Sequence, residues 1–373
     1  MGTLLSTYTT NRDNNFNLIR FLAASLVLYS HSFALVLGRG NMDPLKGQIG
    51  MTWGHVAVDI FFVTSGFLIA GSFFARNNLF VFFWSRALRI FPALIVAILA
   101  CVFVFGLWFT TLSPWEYITD PKTREFLLKN MTLLFGVEYF LPGVFETNPW
   151  DKTVNGSLWT LPYELKMYVL LAFVLVAIKF VKKSSNYLDF KYYLLILGIG
   201  SVFINFSIHF EWFEVTRFVE DFTRLFSMFF IGAAIFVWRD SIRMSTGLFA
   251  AMSLVLLVST MDKDLFYLFY CLFLPYMVFY LAYVPSGSVR KFNKTGDYSY
   301  GIYIYAYPVQ QSVVAMMPDV SVGMMTVLSF VVTLILSMLS WHLVEKRALK
   351  MKRLADLEFW KKPLAFARAN SAK

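Results

Sequence analysis

Ten apolar runs recur along the chain, most of them close to the roughly 20 residues a helix needs to cross the hydrocarbon core of a bilayer. They fall at approximately 18–38, 54–75, 90–112, 158–181, 192–210, 222–238, 246–260, 264–283, 298–317 and 320–342, the seventh being the shortest. Polar and basic segments punctuate them. The longest connection, 113–157, carries an apolar stretch of its own, LLFGVEYFLPGVF, suited to lying on or dipping into the membrane. The pattern predicts an all-α, polytopic membrane protein of about ten transmembrane helices, with no room for a soluble second domain. A membrane domain over 1–345 and a basic cytoplasmic tail over 346–373 are expected. No cleavable signal peptide is expected, because the opening residues are mainly polar and the first apolar run contains Arg20.

Composition agrees. Apolar residues make up 58% of the 373 and charged residues 15%, where soluble domains carry about 45–50% and about 25%. A disordered chain is excluded and an ordinary soluble enzyme is disfavoured. The net charge of +10 would suggest nucleic acid in a soluble protein, but here topology explains it, and no nucleic-acid partner is expected. With the N-terminus inside, 22 of the 33 Lys and Arg residues fall on inner segments, 8 on outer segments and 3 within spans. The 23 acids run the other way, 14 outside, 7 inside and 2 within spans. That asymmetry fits both termini in the cytoplasm. Lys346, Arg347, Lys350, Lys352 and Arg353 read as a basic surface drawn to anionic lipid. Cys101 and Cys271 sit in apolar runs with neither disulfide nor metal spacing, so no metal is expected.

Ionisable groups inside spans are costly and point to function. Arg20 and His31 are eleven residues apart in the first span, on one helical face and about 16 Å apart along the axis. Asp59 in the second span and Glu164 in the fourth reach a similar outer depth to His31. His55 stands at the mouth and reads as solvated rather than catalytic, and Ser65-Gly66 suits a close-packing notch between helices. Arg86 and Arg89 share the inner edge of the third span, where two guanidinium forks suit phosphate. Lys166 points away from Glu164, free to meet another anion, and Arg224 near the outer end of the sixth span suits an anionic acceptor or a salt bridge. The ninth span, GDYSYGIYIYAYPVQQ, is crowded with tyrosines, among them Tyr300, and Pro308 should kink it. Asn155-Gly156-Ser157 matches a glycosylation sequon, a weak signal that is discounted. These residues alone suit an enzyme and a secondary transporter or flippase for a glycolipid or organic anion equally well; a purely structural role is a third reading.

The series NNFNLIRFLAASLVLYSHSF, GHVAVDIFFVTSGFLIA, FWSRALRIFPAL, NGSLWTLPYELKMY and GDYSYGIYIYAYPVQQ resembles, in order, the motifs of the acyltransferase-3 family of bacterial membrane O-acyltransferases. The resemblance spans about residues 14–350. It implies some ten membrane helices, an inner-membrane location, acetyl-CoA or another acyl-CoA as donor, and as acceptor a sugar of a polysaccharide, lipopolysaccharide or lipid-linked precursor. The family's Arg-to-His spacing falls on Arg20 and His31, and its Arg-x-x-Arg pattern on Arg86 and Arg89. Many members carry a His just before the ninth-span Pro, where this chain has Tyr307. Some carry a soluble esterase-like C-terminal domain, which is not expected here, so acceptor delivery rests on the membrane part or a partner. Taken with the residues, the resemblance implies that Arg20, Arg86 and Arg89, with Tyr300, hold the CoA. His31 then acts as base, oriented by Asp59 or Glu164, while Lys166 and Arg224 meet the acceptor. A covalent acyl-His step stays open.

Overall fold

The computed structural model describes residues 2–10, 13–41, 43–76, 78–150, 152–182 and 190–356. Arg12, most of the 179–191 loop and the tail beyond 356, used above in the charge count, lie outside the described residues. Each of the ten apolar runs forms a helix: α1 (Phe16–Leu37), α2 (Trp53–Arg76), α3 (Leu79–Ala100), α4 (Leu161–Lys182), α5 (Lys191–His209), α6 (Arg217–Trp238), α7 (Thr246–Ser259), α8 (Lys263–Tyr283), α9 (Ser299–Met316) and α10 (Val322–Ser340). Seven helical stretches among the described residues are long and apolar enough to cross a membrane. These are α1, α2, α5, α6 and α8, together with α3 extended to Phe109 and α10 extended to Leu354. The expected ten is compatible with this set once α4, α7 and α9 are added. Asn78, Ser245, Asp262 and Ser321 each cap a helix start by accepting the N–H of its third residue.

The helices pack around α2, which touches α1, α3, α4, α6 and α8. Its crossing with α6 brings the two backbones together. A Cβ on Gly66 would lie 1.9 Å from the Phe229 carbonyl oxygen, and one on Gly232 2.1 Å from that of Val63. Glycine at both positions lets the helices approach as small residues do in membrane bundles, so Gly66 is the packing notch, whereas Ser65 lines a cavity on another side of α2.

Connections sort to two ends of the bundle. At one end Thr3–Leu4 pairs antiparallel with Arg243–Met244, Asn15 Nδ2 donates to the carbonyls of Leu281 and Pro285, and Trp84 Nε1 donates to that of Met351. At the other end Asp43 meets Ser30 and Trp53, and Asn148 meets Gln311. Segments expected on one side of a membrane thus contact one another, and an even number of helices lies between them. The basic segment after 345 continues α10 through Lys346–Lys350 to Asp356 and lies against the start of α3.

The long connection folds into helices Pro114–Thr119 and Pro121–Thr132 and then an irregular stretch pinned by bridges Thr110↔Val144 and Phe140↔Thr153. Within its apolar run Leu141, Val144 and Phe145 are buried, whereas Leu134 and Phe135 are exposed.

Candidate active site

Pro308 sets the local geometry. Having no N–H, it leaves the Ile304 carbonyl, one turn earlier, without a helical partner. Asn155 Nδ2 fills that vacancy from the outer connection at 2.8 Å, while its Oδ1 accepts from the Ser157 N–H. The sequon asparagine is therefore a fully buried structural residue. Gly156 next to it has to be glycine, because a Cβ there would meet the Tyr307 ring at 2.5 Å. Gln310 and Gln311 complete the seam. Gln310 Nε2 donates to the Leu28 carbonyl and to Ser32 Oγ on α1, both at 2.8 Å, and Gln311 Nε2 donates to the Thr153 carbonyl.

Two cavities adjoin inside this frame. The larger, about 800 Å³, is walled by α1, the start of α2, the 136–156 segment, α4, the first turn of α6 and α9. The smaller, about 50 Å³, lies between α1, α2, α4 and α9. Val58 and Tyr303 line both, so the two meet at these side chains. Tyr303 is held by a 2.5 Å hydrogen bond with Thr160.

His31 lies on the wall of the larger cavity, edge-on to Tyr307 with ring centroids 5.1 Å apart. Its Nδ1 is buried and has no hydrogen-bond partner among the described residues. Lys166 lines the same cavity, its ammonium over the rings of Phe218 and Tyr163 at 4.8 and 5.2 Å. Arg20, Glu164 and Tyr300 line the smaller cavity. Arg20 sits 5.7 Å over the Phe61 ring, and its buried Nε likewise has no partner among the described residues. Glu164 accepts from the Tyr168 hydroxyl, which in turn lies 3.3 Å from Ser65 Oγ.

Arg86 and Arg89 part company. Arg86 donates to Ser85 and Ser72, each at 3.2 Å. Arg89 is clamped by two acids, Asp297 at 2.6 Å and Glu345 at 3.2 Å, with Tyr300 beneath it. Burial would raise the Asp297 carboxyl. Arg89 and Arg20 nearby, with hydrogen bonds from Ser299, instead hold it down at about 2, so it stays ionised.

Asp59 lies in neither cavity. It is fully buried against α6 and α8, where Arg224 Nη1 and the Tyr270 hydroxyl donate to its two oxygens. Arg224 also approaches Asp221 at 3.7 Å. A guanidinium at this depth requires a counter-charge, and Asp59 supplies it. The structure therefore groups His31 with Lys166, Arg20 with Glu164 and Tyr300, and Asp59 with Arg224. Neither Asp59 nor Glu164 hydrogen-bonds to His31.

Several participants escape the sequence reading. Asp297 has a visible signal, standing two residues before Ser299 at the start of α9, and Glu345 is a lone acid where an apolar run turns basic. His55, expected at the mouth and solvated, stands with Ser30 and Thr52 on the wall of the larger cavity, bonded to Thr52. Ser30 lies within a quoted motif that gave it no role, and Thr52 and Tyr270 carry no motif.

Comparison with known proteins follows the same residues. The family profile described as an acyltransferase domain, that of the acyltransferase-3 family, matches residues 13–342. An O-acetyl transferase of Shigella phage Sf6 is 31% identical over 347 residues, covering 91% of this chain and 97% of that protein. Nodulation protein 10 of Rhizobium leguminosarum bv. viciae is 32% identical over 176 residues, 45% of this chain and 46% of its own. No solved structure matches the chain.

Proposed function

Because the chain belongs to the acyltransferase-3 family, we propose that it moves an acyl group, acetyl in the simplest case, from cytoplasmic acyl-CoA to a hydroxyl of a polysaccharide, lipopolysaccharide or lipid-linked sugar. The observation that carries this is His31 on the wall of a cavity of about 800 Å³, with its buried Nδ1 free of any hydrogen-bond partner among the described residues. Buried nitrogens without a partner are rare in folded proteins, and a cavity of this volume suits a sugar-sized ligand. The donor supplies a carbonyl activated as a thioester. His31 takes the proton of the acceptor hydroxyl as its oxygen bonds to the acyl carbon, and returns that proton to the sulfur when the C–S bond breaks.

The residues around the smaller cavity fit the donor. Arg20 offers a buried cationic N–H without a partner among the described residues, and Tyr300 and Arg86 lie toward the same end. Arg89, already met by two carboxylates, holds Asp297 and Glu345 in place. Lys166 faces the acceptor space. Arg224 serves Asp59, and that pair supports the bundle. Glu164, in the smaller cavity, sits on the donor path.

The test is transfer of label from radiolabelled acetyl-CoA to candidate glycans by purified protein in liposomes; absence of acetyl-CoA binding would reject the reading. In this assay Arg20→Ala is expected to raise the half-saturating acetyl-CoA concentration by roughly 10–100-fold, the effect of one charge-assisted hydrogen bond. An unchanged value would remove Arg20 from the donor site.

The inner-membrane location and orientation are tested separately. Cys101 and Cys271 are buried, so background labelling should be low. Cysteine at Trp115, which is 77% exposed, is expected to react with an impermeant maleimide in spheroplasts. Cysteine at Arg243 is expected to react only after lysis. The reverse pattern would invert the topology.

A further inference from the structure

We propose that Ser30 and His55 form a subsite that reads two neighbouring hydroxyls of the acceptor sugar, Ser30 as hydrogen-bond acceptor and His55 as donor. This rests on the acyl-transfer reading above and narrows its acceptor to sugars with a vicinal diol. Both residues line the larger cavity, where α1 and the start of α2 touch. A Cβ on Gly54 would lie 3.2 Å from Ser30 Oγ, so the neighbours His31 and His55 stand on adjoining walls.

The polarity of each group is fixed from behind. The Ser30 hydroxyl donates to Asp43 Oδ2, and Asp43 is only 2% exposed and also accepts the Trp53 N–H at 2.9 Å. A hydroxyl has a single proton. With it committed to Asp43, only oxygen lone pairs remain for the cavity. On the other wall Thr52 caps α2, its Oγ1 accepting the His55 N–H at 3.1 Å. The same oxygen lies 2.8 Å from His55 Nδ1. That oxygen already accepts the His55 N–H, and in the proposed subsite the Thr52 proton goes to Nδ1 and the ring's own proton to Nε2.

The cavity therefore presents a fixed acceptor beside a fixed donor. Two hydroxyls on adjacent ring carbons complement this pair, one giving its proton to Ser30 and the other receiving from His55. The subsite leaves His31, the next residue after Ser30, as the base for the hydroxyl it orients.

Membranes of source cells lacking the gene serve as the acceptor probe, with radiolabelled acetyl-CoA and alkali-labile label as the readout. His55→Ala is expected to raise the half-saturating amount of acceptor membrane about tenfold, the effect of one hydrogen bond, with acetyl-CoA saturation unchanged. His55→Gln, which keeps an N–H donor, should recover most of the loss. Ser30→Ala should act on acceptor saturation in the same way, compared only at matched levels of folded protein. In ¹⁵N spectra of histidine-labelled protein, His55 should show the Nε2–H form, and Thr52→Val should abolish that preference. Unchanged acceptor saturation in His55→Ala, an equal shift in acetyl-CoA saturation, or an Nδ1–H ring in the unmodified protein would overturn the subsite. No ester label from unmodified protein would overturn the enzyme reading and the subsite with it.

Discussion

His31→Ala is expected to lower transfer by about 10²–10⁴, the usual cost of losing a general base, while expression and acetyl-CoA binding stay near those of the unmodified protein. Among the described residues the ring makes no hydrogen bond through Nδ1, and it meets Tyr307 edge-on, so its removal strands no partner of that nitrogen. α1 is anchored independently of the ring, where Gln310 reaches the Leu28 carbonyl and Ser32. His31→Gln preserves hydrogen bonding but cannot accept a proton, and should be nearly as inactive. A packing histidine predicts the opposite pattern, with Gln tolerated and Ala harmful through lower protein level. Well-folded His31→Gln with full transfer would move the base to another group, and Glu164 would be examined next because it lines the adjoining cavity.

The second large effect concerns stability. Asp59 and Arg224 face each other inside the bundle with side-chain exposures of 0% and 8%. Arg224→Met leaves a buried carboxylate with only the Tyr270 hydroxyl, and stranding one member of a buried pair typically costs about 3–5 kcal/mol. Native stabilities are about 5–15 kcal/mol, so a large loss of folded protein and a marked drop in melting temperature in detergent are expected. Replacing the whole group with apolar residues, Asp59→Leu, Arg224→Met and Tyr270→Phe together, should recover most of that loss, because a well-packed apolar substitute for a buried pair is often neutral or better. Since Asp59 and Arg224 line neither cavity, the triple variant should also retain transfer. A folded but inactive triple variant would return Asp59 to the chemistry, and an Arg224→Met protein as stable as the unmodified one would show that the pair contributes nothing.

The helices were legible because lipid imposes length and apolarity on each span: nine of the ten apolar runs coincide with their helices to within about five residues. The exception is α3, which begins at Leu79, well before the run expected from 90, so that Arg86 and Arg89 lie within the helix. Helical periodicity also placed Arg20 and His31 on a common side of α1, and they now line two cavities that meet at Val58 and Tyr303. Depth was a poorer guide. Asp59 and Glu164 were assigned to His31 by height in the bilayer, yet height leaves the azimuth of a neighbouring helix undetermined. Asp59 faces α6 and α8, where Arg224 claims it. Arg89 shows the same gap: its partners Asp297 and Glu345 lie 208 and 256 residues later in the chain, too far for any local pattern to reveal. Asp43 reaches Ser30 from 13 residues away, a contact that only the folded loop brings into place.

The hydrogen bond from Asn155 to the carbonyl freed by Pro308 has a consequence for engineering. The outer connection and α9 are matched parts: Asn155 fits a vacancy that the proline creates, Gly156 fits the Tyr307 ring, and Asn148 fits Gln311. Grafting a relative's outer loop alone onto this chain would set a foreign plug against a native socket, leaving the buried Ile304 carbonyl bare. Chimeras meant to exchange acceptor preference should therefore move 136–157 and α9 as one cassette, and single-segment swaps should fail in folding before they report on specificity.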